Sequence, residues 1–204
     1  MKRNNPLIVG PAALIVIDAQ QGGYDPPKHE GRDWRMPGFV EYFANIPGLV
    51  AAAREAAVPV IFFQEEHRRN MIDFGRELDG DEQIHCLEGD PGTPVAREVG
   101  MCDDDYFIRK RRYSCFFGTE LEILLRGLKA QTLILCGGFT DVCVHYTFVD
   151  AHQHDYHVRV VEDAVAGSSV PAHDASLKAM EYLQHGARRR TTEILGAFAA
   201  LRNA

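Results

Sequence analysis

The sequence lacks long apolar runs: none approaches the roughly 20 residues that a helix needs to cross a bilayer. The first apolar stretch follows two basic residues, but Pro11 interrupts it, and Asp18 stands where a signal peptide would have small residues for cleavage. Cysteine is sparse: the five residues are odd in number and include no CxxC pair. Scattered thiols of this kind are typical of a reducing compartment rather than of a disulfide framework. We therefore expect a cytoplasmic protein with no membrane partner.

Positive charge is also scarce. Lysine and arginine number 22 against 29 aspartate and glutamate residues, which gives a formal net charge of -7. Nucleic acid is therefore not an expected partner, because a phosphate-binding face needs clustered basic side chains. The short basic runs at 109–112 and 188–190 are more typical of solvated or ion-paired surface. The glycine patterns GxGxxG and GxxxxGKS are absent, which argues against a nucleotide-binding module.

The pattern of apolar residues predicts the fold class. With 204 residues, 46% apolar, the chain is long enough for one sizeable core and too short for two full domains. Alternating periodicities predict strands at 12–17, 58–63, 106–108, 132–136, 157–161 and 188–192, and helices at 39–57, 118–128, 141–155, 173–185 and the C-terminus. This alternation indicates a single α/β domain over residues 1–204, with three α/β/α layers around a mostly parallel sheet.

Three reactive residues lie at or just after the predicted carboxyl ends of strands, where the sites of such sheets gather. Asp18 ends a buried apolar run, which is costly unless the acid is paired or functional; a turn or cap role is the alternative. Lys110 follows a short strand, and taken alone it would be assigned to the surface. Cys143 lies near the start of the helix predicted at 141–155, whose dipole we expect to favour the thiolate and lower the thiol pKa. A small buried hydrophobe is the alternative reading of this cysteine.

Together these residues form a nucleophilic apparatus that needs no histidine. A carboxylate can take the proton of a thiol if its environment raises the pKa of the acid. A nearby ammonium can orient that acid and favour the thiolate. We therefore expect Asp18, Lys110 and Cys143 to meet in one cleft.

At this point the sequence resembles the isochorismatase-like cysteine hydrolases, which include nicotinamidases and the carbamoylsarcosine, biuret and ureidoacrylate amidohydrolases. The resemblance covers nearly the whole chain and is carried by ALIVIDAQ (13–20), IRKRRYSCFFGTELEILL (108–125) and LILCGGFTDVCVHYTFVDAHQHDYHVRVVEDAVAGSS (133–169). It implies the isochorismatase-like hydrolase fold, a homodimer or homotetramer, and an Asp-Lys-Cys triad at Asp18, Lys110 and Cys143. It also implies a cis peptide bond between Gly138 and Phe139, which aims the N–H groups of Phe139 and Cys143 at an oxyanion.

The implied activity is cleavage of a small amide or ureide C–N bond through a thioester, with release of ammonia or an amine and no required cofactor. One alternative is noncovalent hydrolysis of a vinyl ether by the acid and the lysine, as isochorismatase itself performs. Another is a non-enzymatic binding module. A receiver-like phosphoacceptor role for Asp18 would need an acidic pair before its strand, and none is seen.

The resemblance leaves a metal open. Nicotinamidases bind a divalent ion through Asp-x-His and a later His, and Glu65, His67 and His85 stand at similar places. Zinc at these three residues is one reading. A second reading is that Glu65, His67 and Arg68 match the Glu-x-His-Arg run of metal-free biuret-type relatives and bind substrate or close a lid. A third is that they are surface residues on a loop.

The substrate cannot be identified from the residues. The run at 19–24 departs from the Met or Leu and the Asn-Asp-Phe that the family often has there, so the access to the site is expected to differ. The segment 64–105 is long enough to be functional or mobile. Candidates for substrate contact are Gln20, Tyr24, Glu65, His67, Arg68, Tyr113 and Phe116, with a structural role as the alternative for Gln20 and core packing for the aromatic residues.

Overall fold

A six-stranded parallel sheet forms the centre of the molecule. The computed structural model describes residues 6–25 and 34–203. The strand order is β3-β2-β1-β4-β5-β6, and every neighbouring pair is parallel. The strands are β1 (Ala12–Ile17), β2 (Val60–Glu65), β3 (Tyr106–Lys110), β4 (Thr132–Gly138), β5 (His157–Ala166) and β6 (Arg188–Arg189). The predicted α/β class with a parallel sheet is confirmed.

Helices cover both faces of this sheet. They are α1 (Gln21–Tyr24), α2 (Phe39–Phe43), α3 (Ile46–Glu55), α4 (Leu121–Gly127), α5 (Cys143–Gln153), α6 (Val170–Leu183) and α7 (Thr191–Arg202), with short 3₁₀ turns at Glu77–Asp79 and Arg97–Val99. The single helix predicted at 39–57 is two helices, because Pro47 in the first turn of α3 favours the start of a new helix there. No helix in the described ranges is long and apolar enough to span a bilayer.

The burial of β1 on both faces explains why its sequence is apolar without interruption. In β1, Leu14 and Val16 pack into a core with α2, α3 and α7, whereas Ile15 and Ile17 face a second core with α4, α5 and α6. All six residues of β1 are buried. A strand buried on both faces cannot alternate apolar and polar residues, and this is the signal that the sequence carries.

Four strands, β2 to β5, run further than the sequence predicts, and the extensions of β2 and β3 bring charged residues to the site. Apolar residues end at Phe63, but β2 continues through Gln64 to Glu65, both 5% exposed. Similarly, β3 continues from Ile108 to Lys110, which pairs in register with Glu65. Because β1 lies beside β2, these charged residues gather next to Asp18 at the carboxyl edge of the sheet.

The turn between β4 and α5 is fixed by its two glycines. Gly137 has φ +111°, and a Cβ there would lie 1.9 Å from the carbonyl oxygen of Ile17 in the neighbouring strand. No side chain fits at that distance. The following bond, between Gly138 and Phe139, is cis. After this turn α5 begins at Cys143.

The basic run at 109–112 is ion-paired, as expected. Arg109 Nε lies 3.1 Å from Glu66 Oε1, and Arg111 Nε lies 3.2 Å from Asp73 Oδ2. Arg112 donates to the main-chain oxygen of Asp73. The run therefore holds part of the long segment 66–105 against the end of β3.

Candidate active site

Asp18 is held rigidly at the end of β1. Its φ is +47°, in the left-handed region that aspartate tolerates better than most side chains. Its Oδ1 accepts the N–H of Glu65 at 2.9 Å, and its Oδ2 lies 2.8 Å from Nζ of Lys110. This second oxygen is buried and makes no hydrogen bond of good geometry with the described residues, so a lone pair remains for a proton.

Lys110 contacts both carboxylates and the thiol of the site. It is 1% exposed, and its Nζ lies 2.8 Å from Asp18 Oδ2, 2.6 Å from Glu65 Oε2 and 3.3 Å from Cys143 Sγ. Burial alone would lower the pKa of the ammonium. The charges of Asp18, Cys143 and Glu65 outweigh that effect and raise this pKa well above its usual value, so the lysine stays charged.

Cys143 is the first residue of α5, and it is 7% exposed. Its Sγ lies 3.6 Å from Glu65 Oε2 and within 4.8 Å of a carboxylate oxygen of Asp18. Burial raises the pKa of this thiol well above its usual value, and Asp18 and Glu65 raise it further, although Lys110 lowers it. The expected lowering by the helix dipole is therefore wrong, because burial and two carboxylates dominate. The resting group is a thiol, which needs a base.

The two carboxylates beside Lys110 have opposite pKa shifts. Burial raises the pKa of Asp18 to about 6, with Glu65 adding to the rise and Lys110 opposing it. Burial would also raise the pKa of Glu65, but Lys110, His67 and His85 outweigh it and lower this pKa well below its usual value. Asp18 is therefore the better proton acceptor, and Glu65 is the permanent anion.

The turn before Cys143 is held on both sides by main-chain hydrogen bonds. The N–H groups of Val142 and Val144 donate to the carbonyl oxygen of Phe139 at 3.1 and 3.0 Å. Thr140 N–H donates to Ala166 O at 2.9 Å. The ring of Phe139 packs edge-on against Trp34 at a centroid distance of 5.4 Å. These contacts fix the peptide groups that the resemblance assigns to an oxyanion hole.

A second cluster shares Glu65 with the triad. Oε1 of Glu65 lies 2.8 Å from Nε2 of His85 and 3.2 Å from Nε2 of His67. Oε2 of Glu77 lies 3.2 Å from the same Nε2 of His67. One atom from each of these four residues lies within 4.8 Å of the others. Glu77 was not predicted, since it stands in a loop without any spacing that marks it.

The donor chemistry of this cluster fits a divalent metal. Two imidazole nitrogens and two carboxylates are ligands that zinc prefers. Nδ1 of His85 lies 2.6 Å from the carbonyl oxygen of Gln83, a contact that makes Nδ1 the N–H and leaves Nε2 free to bind. Both carboxylate oxygens of Glu77 are buried without a hydrogen bond to any described residue.

Protonated imidazoles would also suit the arrangement. Burial alone would lower the pKa of His85, but its hydrogen bond to Glu65 and the charge of that residue raise it to about 9. Glu65 and Glu77 raise the pKa of His67 in the same way, against the effect of burial. The cluster therefore attracts positive charge, either as protons or as a metal ion.

Gln20 holds this edge of the sheet together. Its Nε2 donates to Glu65 O at 2.9 Å and to Thr93 O at 2.5 Å, and its Oε1 accepts the N–H of Glu65 at 3.1 Å. Its side-chain amide thus bonds to the protein itself, which supports the structural alternative. Gln20 therefore fixes the main chain of Glu65 through two hydrogen bonds.

The remaining substrate candidates are dispersed. Arg68 is 57% exposed at its side chain and lies 3.7 Å from Asp73 on the outer side of the loop. Phe116 stacks on His154 at 5.1 Å, next to the core formed with α4 and α5. The structure does not bring either of them to the triad.

The two tyrosines differ. Tyr24 packs its ring against Phe43 at 5.8 Å in the core on the other face. Burial raises the pKa of Tyr113, followed by the charges of Glu82 and Glu77. The ring of Tyr113 stacks on Tyr146 at 5.7 Å and packs against the core that contains Cys143, and its contact with substrate stays a prediction.

Comparison with protein families and known proteins bears on this geometry. The model of the isochorismatase domain matches residues 12–194 of the chain. The match begins at β1 and ends in α7, so it includes every element that carries the triad.

Three curated relatives illustrate the range of activities. The chain is 30% identical over 175 residues to a probable inactive nicotinamidase of Arabidopsis thaliana, with 83% of this chain and 87% of that protein covered. It is 29% identical over 169 residues to a maleamate amidohydrolase of Pseudomonas putida, at 81% and 76% coverage. It is 30% identical over 176 residues to a ureidoacrylate amidohydrolase of Yersinia enterocolitica, at 75% and 74% coverage.

Two solved structures are similar over most of their length. A cysteine hydrolase from Pseudomonas syringae superposes with a TM-score of 0.82 at 26% identity, covering 97% of this chain and 99% of that one. A pyrazinamidase of Pyrococcus horikoshii, solved in complex with zinc, gives a TM-score of 0.73 at 27% identity, with 88% and 98% covered.

Proposed function

The chain belongs to the isochorismatase family, and we propose that it is a cysteine-dependent amidohydrolase that cleaves a small amide or ureide. Relatives named as maleamate and ureidoacrylate amidohydrolases support the substrate class. The observation that carries the proposal is the position of one ammonium, Nζ of Lys110, 2.8 Å from Asp18 Oδ2 and 3.3 Å from Cys143 Sγ. A base, a cation and a nucleophile thus meet at one point.

In the first step, the Asp18 carboxylate takes the proton of the Cys143 thiol. The thiolate sulfur then attacks the carbonyl carbon of the substrate, and a C–S bond forms. Lys110 stabilises the thiolate, because its ammonium is within hydrogen-bonding distance of sulfur. The raised pKa of Asp18 suits this role, since a base works best when its pKa lies near the working pH.

In the second step, the carbonyl oxygen becomes an oxyanion that the N–H groups of Phe139 and Cys143 stabilise. Donors fixed in advance are worth about 2.7–4 kcal/mol each in such sites. The C–N bond breaks, and Asp18 returns its proton to the departing nitrogen. Ammonia or an amine leaves, and a thioester remains on Cys143.

In the third step, water hydrolyses the thioester. Asp18, again ionised, takes a proton from the water as its oxygen attacks the carbonyl carbon. The C–S bond breaks, and the sulfur recovers the proton from Asp18. The net reaction consumes one water, releases the acid and the amine, and regenerates the resting thiol.

Glu65 supports this chemistry without serving as the base. Its Oε2 accepts from Lys110 at 2.6 Å and holds the ammonium between the two carboxylates. Its pKa is lowered, so it binds a proton too weakly to compete with Asp18.

A metal-containing nicotinamidase is the second candidate, favoured by the cluster of Glu65, His67, Glu77 and His85. The similar pyrazinamidase was solved in complex with zinc. These four residues would hold the ion here. A bound divalent ion would supply positive charge next to Glu65 and Lys110.

The test is a screen for ammonia release from small amides and ureides, including nicotinamide, maleamate and ureidoacrylate, with and without a chelator. We expect turnover by the natural chain, none by Cys143→Ala, and full turnover by the control Cys102→Ala, which removes an exposed thiol. Iodoacetamide should inactivate the enzyme, and substrate should protect it. Full activity of Cys143→Ala would contradict the thioester mechanism and favour noncovalent hydrolysis by Asp18 and Lys110.

A further inference from the structure

We propose that His173 is a positioning residue: its imidazole holds Thr140, and thereby the neighbouring peptide group of Phe139, where that group stabilises the oxyanion. His173 lies at the end of the first turn of α6, outside the triad. Thr140 follows Phe139 directly in the turn between β4 and α5. The inference rests on the proposed hydrolysis, because the oxyanion forms only in that reaction.

One buried hydrogen bond joins the two residues. Nδ1 of His173 lies 2.8 Å from Oγ1 of Thr140. Thr140 is fully buried, and His173 is 4% exposed. Within the described part of the chain, the Thr140 hydroxyl makes no other hydrogen bond. A buried hydroxyl without a partner is costly, so the position of Thr140 depends on His173.

The imidazole ring is itself held in place. The N–H of His173 donates to the carbonyl oxygen of Ser169 at 2.9 Å in the first turn of α6. The ring of Tyr42, in α2, meets the imidazole edge-on at a centroid distance of 5.5 Å. A Cβ added at Gly167 would lie 3.2 Å from Cβ of His173, so the chain before α6 packs closely against this residue. Nδ1 therefore has a fixed position beside the end of β5.

The segment 166–169, which joins β5 to α6, holds the same turn next to His173. The carbonyl oxygen of Ala166 accepts the N–H of Thr140 at 2.9 Å. Ser168 donates its N–H to Asp141 Oδ1 at 2.9 Å and its hydroxyl to Asp141 Oδ2 at 2.5 Å. Thr140 is thus fixed by its main chain and, through His173, by its side chain. Phe139 cannot shift without moving Thr140.

His173 acts as a neutral group. Burial lowers its pKa below the usual value, although the charges of Asp174 and Asp141 oppose this effect. A neutral imidazole has one acceptor nitrogen, so Nδ1 can accept the hydroxyl hydrogen of Thr140. His173 therefore moves no proton in the reaction. It fixes the place of a donor that acts on the transition state.

The test compares His173→Asn with His173→Leu. The two replacement side chains have nearly the same shape, but only the amide can bond to Thr140 from near the position of Nδ1. Thr140→Val removes the hydroxyl from the other side of the contact with little change in shape. The control is His185→Asn, which changes a side chain that is 65% exposed beyond the end of α6.

The measurements use the full chain. They are kcat and KM for the best amide or ureide substrate, urea unfolding, and the fluorescence emission of Trp34. Trp34 is the single tryptophan of the chain, and its ring lies 5.4 Å from that of Phe139. Its emission therefore reports on the turn without any substrate.

We expect His173→Leu and Thr140→Val to lower kcat by about 10–100-fold, because a misplaced donor loses part of its effect on the transition state. KM should change by at most about twofold, since the bound ground state has no oxyanion. Emission of Trp34 should shift in both variants. His173→Asn should keep most of kcat and the natural emission, and His185→Asn should match the natural chain. The double variant His173→Leu/Thr140→Val should lose no more than the worse single variant, because both changes remove one bond.

Equal kcat values in folded His173→Leu and His173→Asn would overturn the inference, because the hydrogen bond is the designed difference between them. Lower stability of His173→Leu with an unchanged kcat would show a merely structural role and would also contradict it. If His173→Leu does not fold, the natural kcat in Thr140→Val would have the same meaning. If the natural chain hydrolyses no amide or ureide, the proposed function fails separately. The emission of Trp34 then decides whether His173 places Phe139, and identical emission of the two His173 variants would show that it does not.

Discussion

Asp18 and Glu65 illustrate how position alone separates two carboxylates. Both lie within 3 Å of the same ammonium, at 2.8 and 2.6 Å from Nζ of Lys110. Glu65 also meets two imidazoles and stays ionised, whereas burial dominates at Asp18 and raises its pKa to about 6. The opposite pKa shifts favour Asp18 as the base and Glu65 as the fixed anion.

We predict that Asp18→Asn lowers kcat/KM by about 10²–10⁴-fold, the usual contribution of a positioned general base. An amide cannot take the thiol proton, but it is nearly the same size, so the fold should persist. Steady-state ammonia release and the rate of alkylation of Cys143 by iodoacetamide measure the effect, and both should fall.

Asp103→Asn is the control for Asp18→Asn, because it removes the same charge from an exposed position. It should keep the full rate. If Asp18→Asn also kept it, Glu65, whose Oε2 lies 3.6 Å from the sulfur, would be the base instead.

At this scale the sequence was most informative where charge interrupts an apolar strand. Asp18 and Lys110 could be identified because strand ends converge in a parallel sheet. Glu77 could not, since only folding brings residue 77 beside residues 67 and 85. The direction of the thiol pKa was also wrong, because burial cannot be read from a helix start. The roles of Phe139 and Cys143 in an oxyanion hole stay predictions.

Among the elements, the ends of the strands were harder to predict than the strands themselves. Apolar periodicity located β1 to its exact bounds but stopped β2 at Phe63, two residues early. Gln20 and Lys110 bond to Glu65 at this strand end. Gln64 accepts the N–H of Val95 and donates to Glu66. Sequence periodicity carries no sign of such partners, and functional strand ends are where it fails.

We predict that Gly137→Ala disrupts the turn that presents Cys143. A methyl group would lie 1.9 Å from the carbonyl oxygen of Ile17, at a φ of +111° that alanine avoids. The free energy of unfolding should fall by at least about 2 kcal/mol, and turnover should fall even in the folded fraction. Urea unfolding followed by circular dichroism, together with kcat of the folded protein, measures both effects.

The matched control for Gly137→Ala is Gly196→Ala in α7. An added Cβ there meets nothing within 4 Å, and alanine favours a helix by about 1 kcal/mol over glycine. This variant should be slightly more stable than the natural chain and fully active. Equal stability of Gly137→Ala and the natural chain would show that the turn can relax, against the close packing seen here.

In the whole molecule, the candidate active site and the stabilising contacts of Arg159 lie at opposite ends of the sheet. The triad lies at the carboxyl ends of the strands, whereas Arg159 lies near the amino end of β5 and is fully buried. Its guanidinium donates to the main-chain oxygens of Pro6, Leu7 and Val158 at 2.8, 3.0 and 2.8 Å. This cation fastens the segment before β1 to the sheet. The expected homodimer or homotetramer and the cytoplasmic location stay predictions.

Stability and chemistry should therefore separate, and Arg159→Met tests this. The change removes a buried cation that donates to three main-chain oxygens, so the free energy of unfolding should fall by about 2–4 kcal/mol. The rate per folded molecule should not change, because the triad lies at the opposite end of the strands.

The control is Arg202→Met, which removes an exposed ion pair with Glu55 and should lower the free energy of unfolding by at most about 1 kcal/mol. Cys143→Ala should show the reverse pattern, with activity lost and stability nearly kept. A loss of kcat in folded Arg159→Met would contradict this separation. It would mean that the contacts at the amino ends of the strands also affect the geometry of the triad.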